Sequence, residues 1–461
     1  MVLAMGAALG ATRSVGPGKT YATPCAAIAA ASPGDLIEVD AAGSYNGDHC
    51  NWTTDNLTVR GVNGRAKIDA GEDAANVQGN KGIFVIAAAH ATLENFELSG
   101  AKISAANGGN GAGVRHQGTD LTLRNCFFHD NQDGILGSPA TDGTGTVLIE
   151  SSDFANNGAG DGQTHNMYLN HYAKFTLRYS HSTGANTGHL VKSRALENHV
   201  EYNRLTDERT NSSYELSFPN AGLSFVIGNI IEQSAVSQNS AIIDYGSEPA
   251  TNNPDLRLFV VNNTVVNHRS AAIFVADHSA TPALLMNNIF LGPGTVSSQA
   301  NSVLTTNFTS SDGDPKLKDE AGYDYRLLPG SPCVDQGSDP GTVDGHPLTP
   351  TQQYVHPLQG EARPVSGALD IGAYELATAS DGGVLDAGIT DAGITDAGTT
   401  DAGTTDAGGV DAGGLPGVPE GGTGATPGEG GGCALGGGSV AGAIPAILLL
   451  AALLFRRRRS A

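Results

Sequence analysis

The stretches VEYNRL (residues 200–205), VIGNII (226–231), VVNNTV (260–265) and LMNNIF (285–290) decide the fold. Each has an aliphatic residue, two further residues, an asparagine, a variable residue and an apolar residue. Looser copies are LENFEL, LRNCFF, IESSDF and LRYSHS, which start at Leu93, Leu123, Ile149 and Leu177. The eight starts are separated by 30, 26, 28, 23, 26, 34 and 25 residues. This period predicts a solenoid, because one such unit cannot bury its apolar side alone.

The fourth position of the repeat predicts how the units stack. Its occupants are Phe96, Cys126, Ser152, Ser180, Asn203, Asn229, Asn263 and Asn288. Four consecutive asparagines indicate an inward ladder at a turn, in which amide side chains bond along the stack. We expect Cys126, in the same column, to be a small buried thiol and not a nucleophile.

The period, the short Val/Ile-rich strands and the asparagine column resemble the right-handed parallel β-helix proteins of the pectin-lyase-like superfamily. The resemblance covers about residues 15–300 and implies an all-β, single-stranded solenoid with terminal caps. Residues 15–45, VGPGKTYATPCAAIAAASPGDLIEVDAAGSY, are similar to the family's first segment. We expect the amphipathic stretch from Pro24 to Ala31 to cap the open end, where core and strand edges would otherwise be exposed.

A second resemblance covers residues 314–375. DPKLKDEAGYDYRLLPGSPCVDQG and GALDIGAYE resemble the C-terminal segment of surface-anchored β-helix proteins. We therefore expect residues 301–377 to close the β-helix, with Tyr325, Leu327 and Tyr374 packed on the last coils.

The two ends of the chain predict export. Residues 1–14 begin with MVLAMGAALGA and are interpreted as the remnant of a signal peptide, although no basic region precedes them. Residues 378–432 are rich in Asp-Ala-Gly, which recurs every five residues from Asp386 to Asp411. With almost no large apolar side chains, this segment is typical of a disordered, self-repelling linker. Calcium binding by its aspartates is the alternative.

Residues 433–461 resemble the MYXO-CTERM sorting tails of exported myxobacterial proteins. Cys433 precedes an apolar run from Val440 to Phe455, which ends in four arginines at 456–459. The resemblance implies export and sorting machinery as partners, cleavage near Cys433, and anchoring at the cell surface or outer membrane through that cysteine. The alternative is a single-pass transmembrane helix, with the arginines cytoplasmic. In both cases only this tail contacts a membrane.

Charge and cysteine content narrow the classes of function. The 461 residues carry a formal net charge of -22, which argues against nucleic acid as a partner. None of the five cysteines forms a CxxC pair. We expect Cys25 and Cys50 to form a disulfide if the protein is exported, the alternative being two buried thiols.

A candidate site follows from HNMYLN (residues 165–170) and HLVKSR (189–194), which are offset by 24 residues, close to one coil. Alternation along a strand places Met167, Leu169 and Val191 inward. It then predicts one outward face formed by Asn166, Tyr168, Asn170, Lys192 and Arg194, with His165 stacked near His189. The next coil, SYELSFPNAG, adds Tyr214 and Glu215, with a register uncertain by one residue.

These residue types suit β-elimination on a uronic-acid polymer. We expect Arg194 to bind the substrate carboxylate, Lys192 to act as base, and His189, His165 or Tyr168 to act as acid. Asn166, Asn170, Tyr214 and Glu215 would bind substrate. β-Helix polysaccharide lyases use Lys/Arg sets or calcium held by acids, so the resemblance leaves calcium as the candidate cofactor. The same coils show no clear acidic cluster. His165, His171, His181 and His189 lack a recognised metal-binding spacing, so no metal site is predicted.

Two further interpretations stay open. The protein is a non-catalytic glycan-binding or adhesion module, or a structural surface protein, if Lys192 and Arg194 only form exposed ion pairs with Glu197 and Glu201. Asp130, Asp133 and Gly134 are interpreted as turn residues, since no pair of facing carboxylates is evident for a glycosidase. The first hypothesis is an exported, surface-anchored β-helix that engages polysaccharide and acts as a lyase.

Overall fold

The computed structural model describes residues 10–71, 81–249 and 253–376. It is a right-handed parallel β-helix of about 11 turns. This confirms the solenoid that the repeat predicts and the right-handed β-helix that the resemblance implies. The chain passes in each coil through three parallel sheets, which we call sheet 1, sheet 2 and sheet 3 in the order of the coil.

Among the described residues, sheet 1 has twelve strands and each of the others has ten. Sheet 1 contains Thr12–Val15, Leu36–Asp40, Thr58–Val62, Ala91–Glu94, Leu121–Arg124, Thr144–Glu150, Tyr172–Arg178, Glu197–Glu201, Leu223–Ile227, Leu258–Val261, Leu284–Met286 and Val303–Thr305. Sheet 2 contains Ala66–Asp69, Phe96–Ser99, Phe127–His129, Asp153–Ala155, His181–Thr183, Arg204–Thr206, Ile230–Gln233, Thr264–Asn267, Ile289–Leu291 and Phe308–Thr309. Sheet 3 contains Cys50–Trp52, Gly82–Ile86, Ala112–His116, Asp133–Gly137, Met167–Leu169, Val191–Ser193, Leu216–Phe218, Ala241–Tyr245, Ile273–Asp277 and Thr295–Ser297.

The repeat pattern corresponds to the turn between sheet 1 and sheet 2. Its third position adopts a left-handed backbone conformation in all eight repeats, with φ between 48° and 66°. Asparagine and glycine tolerate this conformation best, and they occupy it in five of the eight repeats. The turn directs the fourth residue into the interior. The position is buried in all eight repeats, including Cys126, whose pKa burial raises to about 12.

The predicted asparagine ladder is confirmed. The Nδ2 group of Asn203 donates to Oδ1 of Asn229 at 3.0 Å, and the same bond at the same distance joins Asn229 to Asn263 and Asn263 to Asn288. Each Oδ1 atom also accepts the backbone N–H of the residue before it in the ladder, as in Asn203 N to Asn229 Oδ1 at 2.9 Å. The ladder continues to Asn307, which the sequence analysis did not include. Buried amides are therefore fully paired along the solenoid axis.

The first segment contains a helix, Pro24–Ala29, inside the predicted amphipathic stretch. Proline in its first turn and the Thr23 side chain, which accepts from Ala26 N, fix where the helix begins. Ala27 and Ile28 pack into the main core. Cys25 and Cys50 are joined by a disulfide with a Cα–Cα distance of 5.7 Å.

Residues 310–376 follow the last coil with short irregular elements. They contain antiparallel hairpins formed by Leu317–Asp319 with Asp324–Leu327, Thr342–Val343 with His346–Pro347, and Gln352–Val355 with Gln359–Ala362. The 3₁₀ turns found among the described residues are Ala105–Asn107 and Ser310–Asp312. Tyr325 and Leu327 pack with Ile289 and Leu291 of sheet 2, and the half-buried Tyr374 lies against the same cluster. The role of this segment as a cap stays a prediction.

The predictions for both ends of the chain concern residues outside the described ranges. This applies to most of the signal remnant, the linker, Cys433 and the apolar run to Phe455. Within the described ranges, no helix is both long and apolar enough to cross a bilayer.

Candidate functional site

The outer face of sheet 3 brings three of the predicted residues together. Tyr168 pairs in register with Lys192, and Lys192 pairs with Ser217 of the next coil. Met167, Leu169 and Val191 are fully buried in the core, as alternation predicts. Adjacent coils are about 4.8 Å apart, so side chains in one outward column are in contact.

Tyr168 is the platform on which both cations lie. The Nζ atom of Lys192 is 5.1 Å from the centre of its ring, and Cζ of Arg194 is 5.7 Å from it. Arg194 Nε also donates to the Tyr168 hydroxyl at 3.0 Å. Cation–π contacts of this kind hold two like charges side by side on a half-buried surface.

Arg194 already binds a carboxylate. Its Nη1 and Nη2 atoms donate to the two carboxylate oxygens of Glu248 at 2.6 and 2.9 Å, a bidentate pair. Nη1 also donates to the side-chain oxygen of Asn220. Glu197 and Glu201, the partners of the ion-pair alternative, instead contact His199. The pairing of Arg194 therefore differs from that alternative.

The amine of Lys192 lies in surroundings that disfavour its charged form. Burial lowers its pKa below the ordinary lysine value, and the charge of Arg194 lowers it further. Glu248 and Asp244 oppose this shift. A larger fraction of Lys192 is consequently neutral near physiological pH than for an exposed lysine.

The predicted histidine stack is present but uncharged. His165 and His189 lie with ring centres 4.5 Å apart, and Tyr214 lies edge-on against His189 at 5.0 Å. The backbone N–H of His189 donates to Nδ1 of His165 at 3.0 Å. Burial and the nearby charge of Lys192 lower the pKa of His165 to about 3, and burial also lowers that of His189. Both rings are neutral at physiological pH and form one wall beside Lys192.

Asn166 is not on the outward face where alternation places it. It is fully buried, and its Nδ2 donates to Ser182 Oγ at 3.0 Å and Thr183 O at 2.8 Å. Its Oδ1 accepts from Asn157 Nδ2 at 2.9 Å, which extends a second amide ladder from Asn131. Alternation fails here because Asn166 precedes the strand and lies at the corner between sheets.

Glu215 is also fully buried, and its burial has the same cause as that of Asn166. Asn166 and Glu215 each lie two residues before the outward residue of their coil, and both side chains are directed inward. Glu215 accepts from Gln233 Nε2 at 3.3 Å. Burial raises its pKa well above the ordinary value, and the charges of Asp207 and Glu232 add to this rise. Glu215 therefore belongs to an internal acidic cluster and not to the sheet 3 surface.

A cleft of about 320 Å³ lies beside the Tyr168–Arg194 pair. Its lining is Asp142, Tyr168, Asn170, His171, Arg194, Asn220, Glu248, Pro249 and Asn253. Asn170 donates to Ser138 Oγ at 3.3 Å and keeps its predicted place on the outer face. The volume of this cleft is at the lower end of the range for small-ligand sites.

Sequence reasoning missed three acidic residues around this face. Glu248 lies 54 residues from Arg194, in a loop outside the repeat. Asp244 pairs in register with Ser217 and accepts from its hydroxyl at 2.9 Å. Asp133, expected in a turn, begins a strand, accepts the His165 N–H at 2.9 Å and has its pKa raised to about 7 by burial. Of the three, only Asp244 could have been predicted from the sequence, because it is the outward residue one coil after Ser217.

The cleft does not fit a calcium site. Calcium takes six to eight oxygen ligands, with several carboxylates among them. The carboxylates among the described lining residues are Asp142, which pairs with His171, and Glu248, which pairs with Arg194. These residues therefore offer calcium no suitable ligand set.

The comparison with solved structures supports the fold. The chain is similar to pectate lyase Pel9A. The TM-score is 0.55 at 15% identity, over 79% of this chain and 97% of that chain. A pectin methylesterase from Aspergillus niger matches with a TM-score of 0.31 and 13% identity, over 67% of this chain and 88% of that chain, and adds no argument. No protein-family model and no curated protein matches the chain. At this identity, the similarity to Pel9A concerns the parallel β-helix alone.

Proposed function

We propose that this protein engages uronic-acid polysaccharide on the outer face of sheet 3 and cleaves it by β-elimination. The observation that carries the proposal is the convergence of Lys192 and Arg194 on Tyr168. It combines a lysine of lowered pKa with a guanidinium in bidentate contact with a carboxylate.

Each of the three residues has one role in this reaction. The substrate carboxylate takes the place of Glu248 on Arg194, which neutralises it and acidifies the proton on C5. Neutral Lys192 removes that proton, and the electron pair forms the C4–C5 double bond as the C4–O bond breaks. The Tyr168 hydroxyl donates a proton to the leaving oxygen. His165 and His189 stay neutral and keep water from one side of Lys192.

The test uses the purified protein with pectate, alginate, heparin-like and chondroitin-like polymers. The unsaturated product is followed by its ultraviolet absorbance, with and without added calcium. Lys192→Met should lower kcat by at least about 100-fold, since a positioned base contributes on the order of 10²–10⁴. Lys67→Met is the matched control, because Lys67 also forms cross-coil contacts but lies on sheet 2. Equal loss in both variants, or full activity in Lys192→Met, would refute the assignment.

A non-catalytic glycan-binding or adhesion module is the second candidate. It is favoured by the polar cleft beside Tyr168 and Arg194, which can hold a ligand whether or not a proton is removed from it. Binding of a polymer that is lost in Arg194→Ala, without any unsaturated product, would select this function over the lyase.

We also propose export and cell-surface anchoring through residues 433–461. The support is the sequence resemblance of Cys433, the apolar run and the four arginines to sorting tails. Protease treatment of intact cells should release the wild-type protein. A chain truncated after residue 432 should instead appear in the medium, and retention of that variant on cells would contradict the anchor.

A further inference from the structure

A cluster on sheet 1, none of whose residues lines the cleft, has the chemistry of a metal site. His199, Glu201 and His346 each offer one ligand atom, and these atoms all lie within 4.8 Å of one another. Oε1 of Glu201 lies 3.0 Å from Nδ1 of His199 and 3.1 Å from Nε2 of His346. Neither the sequence analysis nor the proposed lyase reaction uses this cluster.

The local structure explains why the three side chains converge. His199 and Glu201 are two residues apart on the strand Glu197–Glu201, so both point to the same face. His346 comes from the hairpin of residues 342–347. Asp344 and Gly345 form its two-residue turn, with φ of 48° and 84°. Positive φ at both positions is the geometry of a tight turn that fixes the next residue.

The hairpin is held against sheet 1 by neighbouring contacts. Asp344 pairs with Arg257 at 2.5 Å. Phe225 is buried beneath the cluster, with its ring centre 4.8 Å from that of His199 and 4.4 Å from that of His346. The apolar ring of Phe225 therefore covers one side of the ligand atoms and keeps water away from that side.

Two of the three separations between ligand atoms are close to those of a tetrahedral ion. With metal–ligand bonds of about 2.0 Å, two ligand atoms of a tetrahedral zinc site are about 3.3 Å apart. The observed separations of 3.0 and 3.1 Å are close to this edge. Nε2 of His346 is buried, and within the described part of the chain its polar contact is Oε1 of Glu201, the carboxylate that would ligate the same ion.

The second ring nitrogen of His199 contacts a carboxylate, as in many metal-bound histidines. Nε2 lies 2.6 Å from Oε1 of Glu197, which also accepts from Lys174 Nζ at 2.9 Å. Metal-bound histidines usually donate their other N–H group to a carboxylate, which fixes the tautomer and orients the ring. Glu197 has that relation to His199, so the tautomer with Nδ1 free to bind metal is favoured.

We propose that His199, Glu201 and His346 bind a zinc ion that fastens the hairpin of residues 342–347 to sheet 1. Water would occupy the fourth position. Two imidazoles and one carboxylate suit Zn²⁺ better than Ca²⁺ or Mg²⁺, which prefer oxygen ligands. The ion would connect segments 147 residues apart, the separation from His199 to His346.

The test is titration of the metal-free full-length protein with ZnCl₂ by calorimetry. We expect saturable binding of one ion, insensitive to excess Mg²⁺, and loss of at least tenfold in affinity in His346→Ala. Glu197→Ala, outside the ligand set, should weaken binding 10- to 100-fold. His90→Ala is the matched control, because His90 also pairs with an acid, Asp120, but is exposed and does not belong to the cluster.

A second readout keeps the result decisive if His346→Ala fails to fold. Cobalt(II) bound to the wild-type protein should give the visible absorption of a four-coordinate site and be displaced by zinc. Zinc should also slow proteolysis within residues 342–347. An octahedral cobalt spectrum, no saturable zinc binding, or unchanged affinity in folded His346→Ala and Glu197→Ala would each overturn the proposal.

Discussion

Glu248 is the residue whose removal tests the sheet 3 site most sharply. In the free protein it holds both terminal nitrogens of Arg194, so a substrate carboxylate has to displace it. Glu248→Ala removes this competitor. Arg194 keeps its bond to the Tyr168 hydroxyl at 3.0 Å and its contact with Asn220, so the guanidinium stays in place.

The size of the effect follows from exposure. Arg194 is only 16% exposed, but the Glu248 side chain is 45% exposed, so solvent screens the pair strongly. Ion pairs of this kind contribute up to about 1 kcal/mol. Removing a competitor of that strength should tighten binding of a short uronic-acid oligomer about fivefold.

The pH dependence should change as well. Glu248 raises the pKa of Lys192, so its loss lowers that pKa further. A base acts in its neutral form, and the neutral form appears as the pH rises through the pKa. In Glu248→Ala the rise of kcat/KM with pH should therefore move to lower pH.

Calorimetry with oligomers of the best polymer measures the affinity, and initial rates across pH give the profile. Asp255→Ala is the matched control, because Asp255 forms a similar pair with Arg257 but does not line the cleft. Equal or weaker binding in Glu248→Ala, with the fold intact and Asp255→Ala unchanged, would refute the idea that Glu248 occupies the substrate carboxylate position.

Three further predictions concern the acid, the ladder and the internal acidic cluster. Tyr168→Phe keeps the ring under both cations but loses the proton donor, so steady-state kinetics should show kcat about 100-fold lower with affinity nearly unchanged; unchanged kcat would exclude Tyr168 as the acid. Asn229→Leu leaves the buried N–H of Asn203 without a partner and should lower the free energy of unfolding by about 2–4 kcal/mol in urea denaturation, whereas Asn51→Leu on the exposed face should change it little. Burial raises the pKa of Glu232 from 4.5 to about 8, so the native state binds a proton that the unfolded chain has lost. This stabilisation is complete below about pH 4.5 and is lost as the pH rises to about 8, at about 1.4 kcal/mol per pH unit for the one proton involved. Denaturation at several pH values should show that slope in the wild type and a flatter one in Glu232→Gln; equal slopes would mean that Glu232 is ionised in the native state.

The arrangement of the candidate site was predictable only in part. The 24-residue offset correctly made Tyr168 and Lys192 neighbours, because stacked coils repeat a local pattern at nearly constant length. The same alternation misplaced Asn166 and Glu215, because it holds within a strand and not at the corner before it. At that corner, paired amides or an internal acid satisfy the turn from inside.

The sequence by itself determined the solenoid, the turn that follows sheet 1 and the asparagine ladder. These depend on backbone conformation and on contacts between equivalent positions of neighbouring coils, which a periodic pattern encodes directly. Only the tertiary structure decided that Glu248 binds Arg194 and that His346 meets His199 and Glu201. Those partners come from loops and hairpins outside the repeat, where no period relates a residue's position in the chain to its position in space.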